Sequence, residues 1–330
     1  MIGKAHWLVP MIFVLAGLVL PSTAARAAGT GYVFVSNERA DSVSVIDGKT
    51  FAAVKTLPTS RRPQAMAFSP DRARIYVVSG RGDKLDVIDV ASLQVVGSVP
   101  AGEDPEMVAV HPNGQIAYVT NEENASVSAI DLAGGSVAAR ISVCAEPEGV
   151  ALLPDGSRAY VTCEAVSEIA VIDTGANRMI TKLKSGLKPR RFAVAPDGKQ
   201  VWVTAEAAGE AQIIDTSTNT ITGAVTFAPP GVRKEDIRPV GIAMSRDGRT
   251  VYAALSRAET VAVIDVERRE VRAYWSAGKR PWNVALGRGG AQLYVANAQS
   301  DDVTVLDTAT GKSLQTIKVG RSPHSILVDE

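Results

Sequence analysis

Residues 118–147 read YVTNEENASVSAIDLAGGSVAARISVCAEP, and this stretch decides the fold. An aromatic, Tyr118, opens a short apolar run. Thirteen residues later Asp131 closes a second run, Val127-Ser128-Ala129-Ile130. After sixteen more, Pro147 precedes another apolar run, Val150 to Leu153. A fourth run, Val137 to Val143, lies between the Asp and the Pro. Strand formers such as Val, Ile, Thr and Tyr dominate these runs, turn residues separate them, and no long stretch keeps a period of 3.6.

The same three markers recur along the chain. The aromatic is Phe34, Tyr76, Tyr118, Tyr160, Trp202, Tyr252 and Tyr294. The Asp is Asp47, Asp89, Asp131, Asp173, Asp215, Asp265 and Asp307. The Pro is Pro63, Pro105, Pro147, Pro189, Pro239, Pro281 and Pro323. Aromatic to Asp is always 13 residues and Pro to aromatic is always 13. Asp to Pro is 16, except for 24 between Asp215 and Pro239. The period is therefore 42, with one eight-residue insertion, Pro229 to Asp236. Four strands in a period of about 40–45 residues is the signature of a propeller blade. The predicted fold is all-β, a seven-bladed β-propeller of four-stranded blades over residues 28–330. The chain enters on the second strand of a blade and ends, at Ser325 to Asp329, on a first strand. The C-terminal strand is thus predicted to complete the N-terminal blade, which leaves no long unpaired edge.

Turn chemistry fits this reading. Pro154-Asp155-Gly156, Pro196-Asp197-Gly198 and His111-Pro112-Asn113-Gly114 each link two strands: Pro presets φ, Asp or Asn accepts local N–H groups, and Gly tolerates positive φ. The seven strand-ending Asp residues occur once per blade, so they read as turn caps rather than as a catalytic or metal array.

Residues 1–27 read as a cleavable secretory signal, with Lys4, an apolar run from Leu8 to Leu20, and Ala25-Arg26-Ala27 before the cut. The run is too short to span a bilayer. The expected location is the periplasm, with no membrane span after cleavage. Without Lys4 and Arg26 the 35 basic residues fall to 33 against 35 acidic ones, a balance that argues against nucleic acid as partner. Cys144 and Cys163 are expected at one mouth of the ring on neighbouring strands, as a disulfide rather than as two buried thiols.

The segments Tyr118-Val119-Thr120-Asn121, Tyr160-Val161-Thr162-Cys163, Phe34-Val35-Ser36-Asn37 and Tyr294-Val295-Ala296-Asn297 resemble the YVTN β-propeller repeat family, as do the Val-x-Val-Ile-Asp and Pro-Asp-Gly segments. Seven such repeats behind a signal sequence more narrowly resemble the PQQ-dependent catabolism-associated β-propeller proteins. That resemblance implies a place beside periplasmic quinoprotein oxidation of alcohols, with a quinoprotein dehydrogenase or a transporter component as partner. It carries no catalytic residue to transfer.

Function is sought where the blades differ. The residue after each proline enters an innermost strand at one mouth of the channel: Gln64, Glu106, Glu148, Arg190, Val240, Trp282 and His324. The residue before it gives, among others, Arg62, Asp104, Arg238 and Arg280. Acidic groups gather about the second and third of these prolines, Pro105 and Pro147, and basic groups elsewhere, which predicts a dipolar face. Ligand or partner binding is therefore assigned to Gln64, Glu106, Glu148, Arg190, Trp282, His324, Arg238 and Arg280. The mature chain has only two histidines and no haem, phosphate or calcium motif, so no metal, cofactor or catalytic residue is assigned. The expectation is a non-enzymatic binding or scaffold protein. The alternatives are a lactonase-type hydrolase, which would have to recruit Glu106, Glu148, Arg190 and His324, and a small-ligand or cofactor carrier using Trp282.

Overall fold

The computed structural model describes residues 29–330; the expected signal segment, 1–27, lies outside them. The described chain forms seven four-stranded antiparallel sheets. Blade two is typical, with strands Pro63–Phe68, Arg74–Ser79, Lys84–Asp89 and Gln94–Pro100. Blade one is built from both ends of the chain. Strand Pro323–Val328 pairs antiparallel with Tyr32–Asn37, which continues through Ser42–Asp47 to Ala53–Pro58. The ring closes by the predicted route, and Asp329 fastens it. Its carboxylate accepts from Thr30 N and Thr30 Oγ1 and pairs with Arg72 of the next blade at 2.7 Å.

The core lies between blades. Phe34, Val43 and Val45 of blade one pack on Met66, Ile75, Val77 and Ile88 of blade two. Trp202, Ala211 and Ile213 of blade five pack likewise on Ile242, Val251 and Ala253 of blade six. The recurring aromatic is buried in these seams, and in two blades its hydroxyl also reaches the next blade. Tyr118 Oη donates to Asn177 Oδ1 at 3.0 Å, and Tyr160 Oη to Asn219 Oδ1 at 2.6 Å.

Each strand-ending Asp accepts backbone N–H groups of the turn it begins. The donors are Lys49 and Thr50 to Asp47, Ser92 to Asp89, Ala133 to Asp131, Ala176 to Asp173, Ser217 to Asp215, Arg268 to Asp265 and Thr310 to Asp307. Hydroxyl bonds from Ser92, Ser217 and Thr310, with these backbone bonds, hold the Asp89, Asp215 and Asp307 carboxyls below their usual range, and the backbone bonds foremost do so for Asp47. The array is structural, as its repetition predicts.

The insertion is docked on the propeller. Pro229 is buried, Val232 packs on the seam between blades five and six, and Ile237 just beyond the insertion is part of that seam. The segment ends in a short 3₁₀ turn, Lys234–Asp236.

Candidate functional site

Two repeat features carry the post-proline residues to the mouth. The first is the residue before the proline, which is left-handed in six blades: Arg62, Asp104, Glu146, Lys188, Arg280 and Ser322 have φ between 45° and 61°. This costly conformation is offset by hydrogen bonds from the strained N–H to a neighbouring loop, as from Arg62 N to Asp41 Oδ1 at 2.9 Å and from Ser322 N to Asp301 Oδ1 at 2.8 Å. The second is the hydroxyl two residues after the aromatic, which donates to the post-proline carbonyl of the next blade. Ser36 Oγ reaches Gln64 O at 2.5 Å, Thr120 Oγ1 reaches Glu148 O at 2.9 Å, Thr162 Oγ1 reaches Arg190 O at 3.0 Å, and Thr204 Oγ1 reaches Val240 O at 2.7 Å. The Thr of the YVT segment is thus an inter-blade clamp on the mouth.

Gln64, Glu106, Glu148, Arg190, Arg280, Trp282 and His324 line one cavity of 290 Å³, joined by Arg39, Arg62, Glu38, Glu122, Glu164, Ala298 and Ser322. Arg238 does not join them. It follows the insertion, lacks the left-handed conformation of its six counterparts, and lines a neighbouring depression of 410 Å³ with Glu206 and Arg257. Trp282 and Arg280 form the wall between the two. Val240 is buried and lines neither.

The charges of the two predicted sectors are paired with one another across blades. Long arginines reach across blades and zip the acidic groups to the basic ones. Arg62 contacts Asp104 at 2.8 Å, Glu38 at 3.3 Å and Glu106 at 3.3 Å. Arg190 contacts Glu148 at 2.6 Å, Glu206 at 3.1 Å and also Glu164. Arg191 is nearly fully buried and pairs with Glu148 at 2.7 Å. Its counterparts in the other blades are Ala65, Met107, Gly149, Gly241, Asn283 and Ser325. An arginine among small or uncharged residues at that position was the signal for it.

Burial and these pairings split the two central carboxyls. Burial, with the charge of Glu148 beside it, pushes Glu106 up to about 8. Burial alone would also raise Glu148, but the Arg190 and Arg191 guanidiniums overcome it and bring that carboxyl down to about 2. His324 is held neutral by burial and by the nearby arginines, its value lowered to about 3. Burial and the neighbouring carboxylates raise Glu122 as well. Asp104, Glu106 and Glu122 each offer an oxygen within 4.8 Å of the others. Arg62 already bridges two of the three, so the positive charge there is supplied by the protein.

Trp282 stands between guanidinium groups, with Arg280 Cζ 4.9 Å and Arg190 Cζ 5.4 Å from its ring centroid. The His324 ring lies 5.9 Å away at a tilt. Cys144 and Cys163 are joined as a disulfide with Cα atoms 5.7 Å apart, and Cys163 stands opposite Pro147 in the register of blade four. The bond thus sits beside the strand that carries Glu148.

Two family models match the chain. One described as lactonase, 7-bladed beta-propeller, matches residues 174–327, and one described as YNCE-like beta-propeller matches residues 21–114. The chain is accordingly a seven-bladed propeller, and the YVTN-type repeat is supported at that level. No curated protein matches its sequence. Among solved structures, hydrazine synthase of Kuenenia stuttgartiensis is 22% identical with a TM-score of 0.76, covering 88% of this chain and 99% of the other. A putative 6-phosphogluconolactonase from Bacteroides uniformis is 19% identical with a TM-score of 0.76, covering 90% and 98%. At these identities the structural likenesses show the fold alone. The lactonase match corrects the expectation of a non-enzymatic scaffold. It spans Arg190, Arg238, Arg280, Trp282 and His324, and it favours the hydrolase alternative.

Proposed function

We propose that the chain is a hydrolase of cyclic esters, working at the mouth where Glu106 and Glu148 meet. The observation that carries this reading is the contrast between those two carboxyls, one protonated and one ionised, on equivalent positions of adjacent blades. Carboxyls pushed apart in this way mark acid–base assignments. The lactonase match over residues 174–327 supports the same class.

Hydrolysis of a lactone needs three things. A base must take a proton from the attacking water, a donor must face the charge growing on the carbonyl oxygen, and an acid must return a proton to the ring oxygen. Glu106 suits the first and third roles. A carboxyl raised to about 8 is a stronger base than an ordinary one, and it holds the proton until the departing oxygen takes it. Arg62 suits the second. Its Nη2 lies 3.3 Å from Glu106 Oε1, and protonation of Glu106 weakens that pairing and frees the guanidinium for the oxyanion. Water adds to the carbonyl carbon, the ring C–O bond breaks, and Glu106 passes the proton to the alkoxide. The product is an open hydroxy acid. Glu148, clasped by two arginines, keeps the site's charge rather than moving protons.

Secretion through residues 1–27 into the periplasm belongs to this proposal, as does the narrower resemblance to the PQQ-dependent catabolism-associated propellers. Oxidation of a cyclic hemiacetal yields a lactone, so a hydrolase fits beside such chemistry. The test is acid release from a panel of lactones by the purified mature protein and by Glu106→Gln. Turnover by the wild type with a loss of about 10²–10⁴-fold in the variant is expected. No acid release from any lactone overturns the reading.

A further inference from the structure

Three consecutive blades, the seventh, first and second, place Trp282, His324 and Gln64 at the post-proline position. All three residues line the 290 Å³ cavity. Each also has one buried atom without a hydrogen-bond partner among the described residues: Trp282 Nε1, His324 Nδ1 and Gln64 Oε1. Gln64 and His324 are 1% and 6% exposed. Buried polar groups left unmatched are rare and call for a reason. Here three fall on one contiguous arc of one cavity, which a ligand with several hydroxyls would satisfy together.

The rest of the ring does not ask for an anion. The guanidiniums of Arg62, Arg190 and Arg191 are each paired with carboxylates, while Arg190 Nε and both Arg191 Nη atoms are also buried without a well-aligned hydrogen bond. Five carboxyl groups, of Glu38, Glu106, Glu122, Glu148 and Glu164, line the same cavity. Arg39 and Arg280, which have no carboxylate partner among the described residues, lie exposed at the rim, where solvent and salt screen their attraction. A phosphate dianion would have to displace these ion pairs to reach Arg62 or Arg190. Arg190 and Arg280 already lie over the Trp282 ring, 5.4 Å and 4.9 Å from its centroid.

We propose that the uncharged arc of Gln64, Trp282 and His324 binds a neutral polyhydroxylated ring, so that the lactone hydrolysed is an unphosphorylated sugar lactone. The second clause rests on the hydrolase reading above, while the first stands on the arc alone. Hydroxyls would donate to Gln64 Oε1 and accept from Trp282 Nε1, with His324 Nδ1 serving according to its tautomer.

The experiment compares kcat/KM for glucono-1,5-lactone and its 6-phosphate. It is paired with Trp fluorescence titration by 1,5-anhydroglucitol, a neutral ring that cannot be hydrolysed. At least a tenfold preference for the unphosphorylated lactone is expected, with a several-fold rise in KM for Gln64→Leu. Equal or better turnover of the phosphate overturns the proposal. If neither lactone is hydrolysed but 1,5-anhydroglucitol binds, and Gln64→Leu abolishes that binding, the hydrolase reading fails and the neutral-ring site stands. If 1,5-anhydroglucitol does not bind and neither lactone is turned over, the site itself is refuted.

Discussion

Glu106 and Glu148 hold the same place in adjacent blades, yet one keeps its proton up to about 8 and the other gives it up near 2. The difference lies in what clasps them. Glu148 has the guanidiniums of both Arg190 and Arg191. Glu106 has the amide of Gln64 and one arm of an Arg62 already shared with Asp104 and Glu38.

Activity should therefore rise with pH through about 8, because the ionised form of Glu106 is the base. Stability should move the other way. A carboxyl whose folded value is raised binds a proton in the folded state that the unfolded state has released. Its contribution is complete below about 4.5, the ordinary value, and is lost as pH rises through 8. Glu106→Gln removes this loss, so the variant should be inactive yet more stable than the wild type at pH 8. A pH–rate profile and denaturant unfolding at pH 5 and pH 8 check both signs. A profile that falls through pH 8 would assign Glu106 the role of acid instead.

Glu148→Gln should act differently. It leaves Arg190 and Arg191 buried without their shared carboxylate, and breaking a buried pair from one side costs about 3–5 kcal/mol. Because the folded value of Glu148 is depressed to about 2, its stabilisation is present above the ordinary value of 4.5 and disappears as pH falls through 2. Urea unfolding at pH 7 and pH 3 measures this. A loss of under about 1 kcal/mol at pH 7 would show that the two arginines find other partners, Glu164 and Glu206 foremost for Arg190.

How far the sequence reaches is visible in the same residues. Spacing alone placed the seven blades, the closing strand and the mouth, because the repeat dictates backbone position and backbone position dictates where a post-proline side chain begins. It did not show where long side chains end. Arg62 and Arg190 cross to neighbouring blades and pair with the acidic groups there. Arg238 lines the neighbouring depression rather than the central cavity, and it lacks the left-handed turn that its counterparts keep. Arg191 was legible only as a departure at a position otherwise filled by small or uncharged residues. The clamp made by Ser36, Thr120, Thr162 and Thr204 was hidden because its acceptors are backbone carbonyls 28 or 36 residues away.

The closing strand should matter more than its length suggests. Deleting residues 323–330 unpairs Tyr32–Asn37 and removes Asp329 from Arg72 and Thr30. Loss of the cooperative thermal transition is expected. Arg72→Ala is the milder probe. It removes the Arg72 bond to a nearly buried carboxylate that keeps Thr30, at about 1–3 kcal/mol, read as a drop of a few degrees in Tm. An unchanged Tm in the deletion variant would mean that the ring holds without closure.

The disulfide gives the last expectation. Cys144 and Cys163 enclose a separation of 19 residues, and cross-linking a loop of that size restricts the unfolded chain by about 3 kcal/mol in the loop-entropy account. The double variant Cys144→Ser, Cys163→Ser should lose about that much in urea, and the wild type should fall to the same midpoint under reductant. Reductant should leave the double variant unmoved, which separates the bond from any other effect of reduction. Because Cys163 faces Pro147, one residue from Glu148, the reduced protein should also lose turnover at urea concentrations where the rest of the ring is still folded. If activity and global unfolding share one midpoint after reduction, the bond stabilises the whole ring and has no separate hold on the mouth.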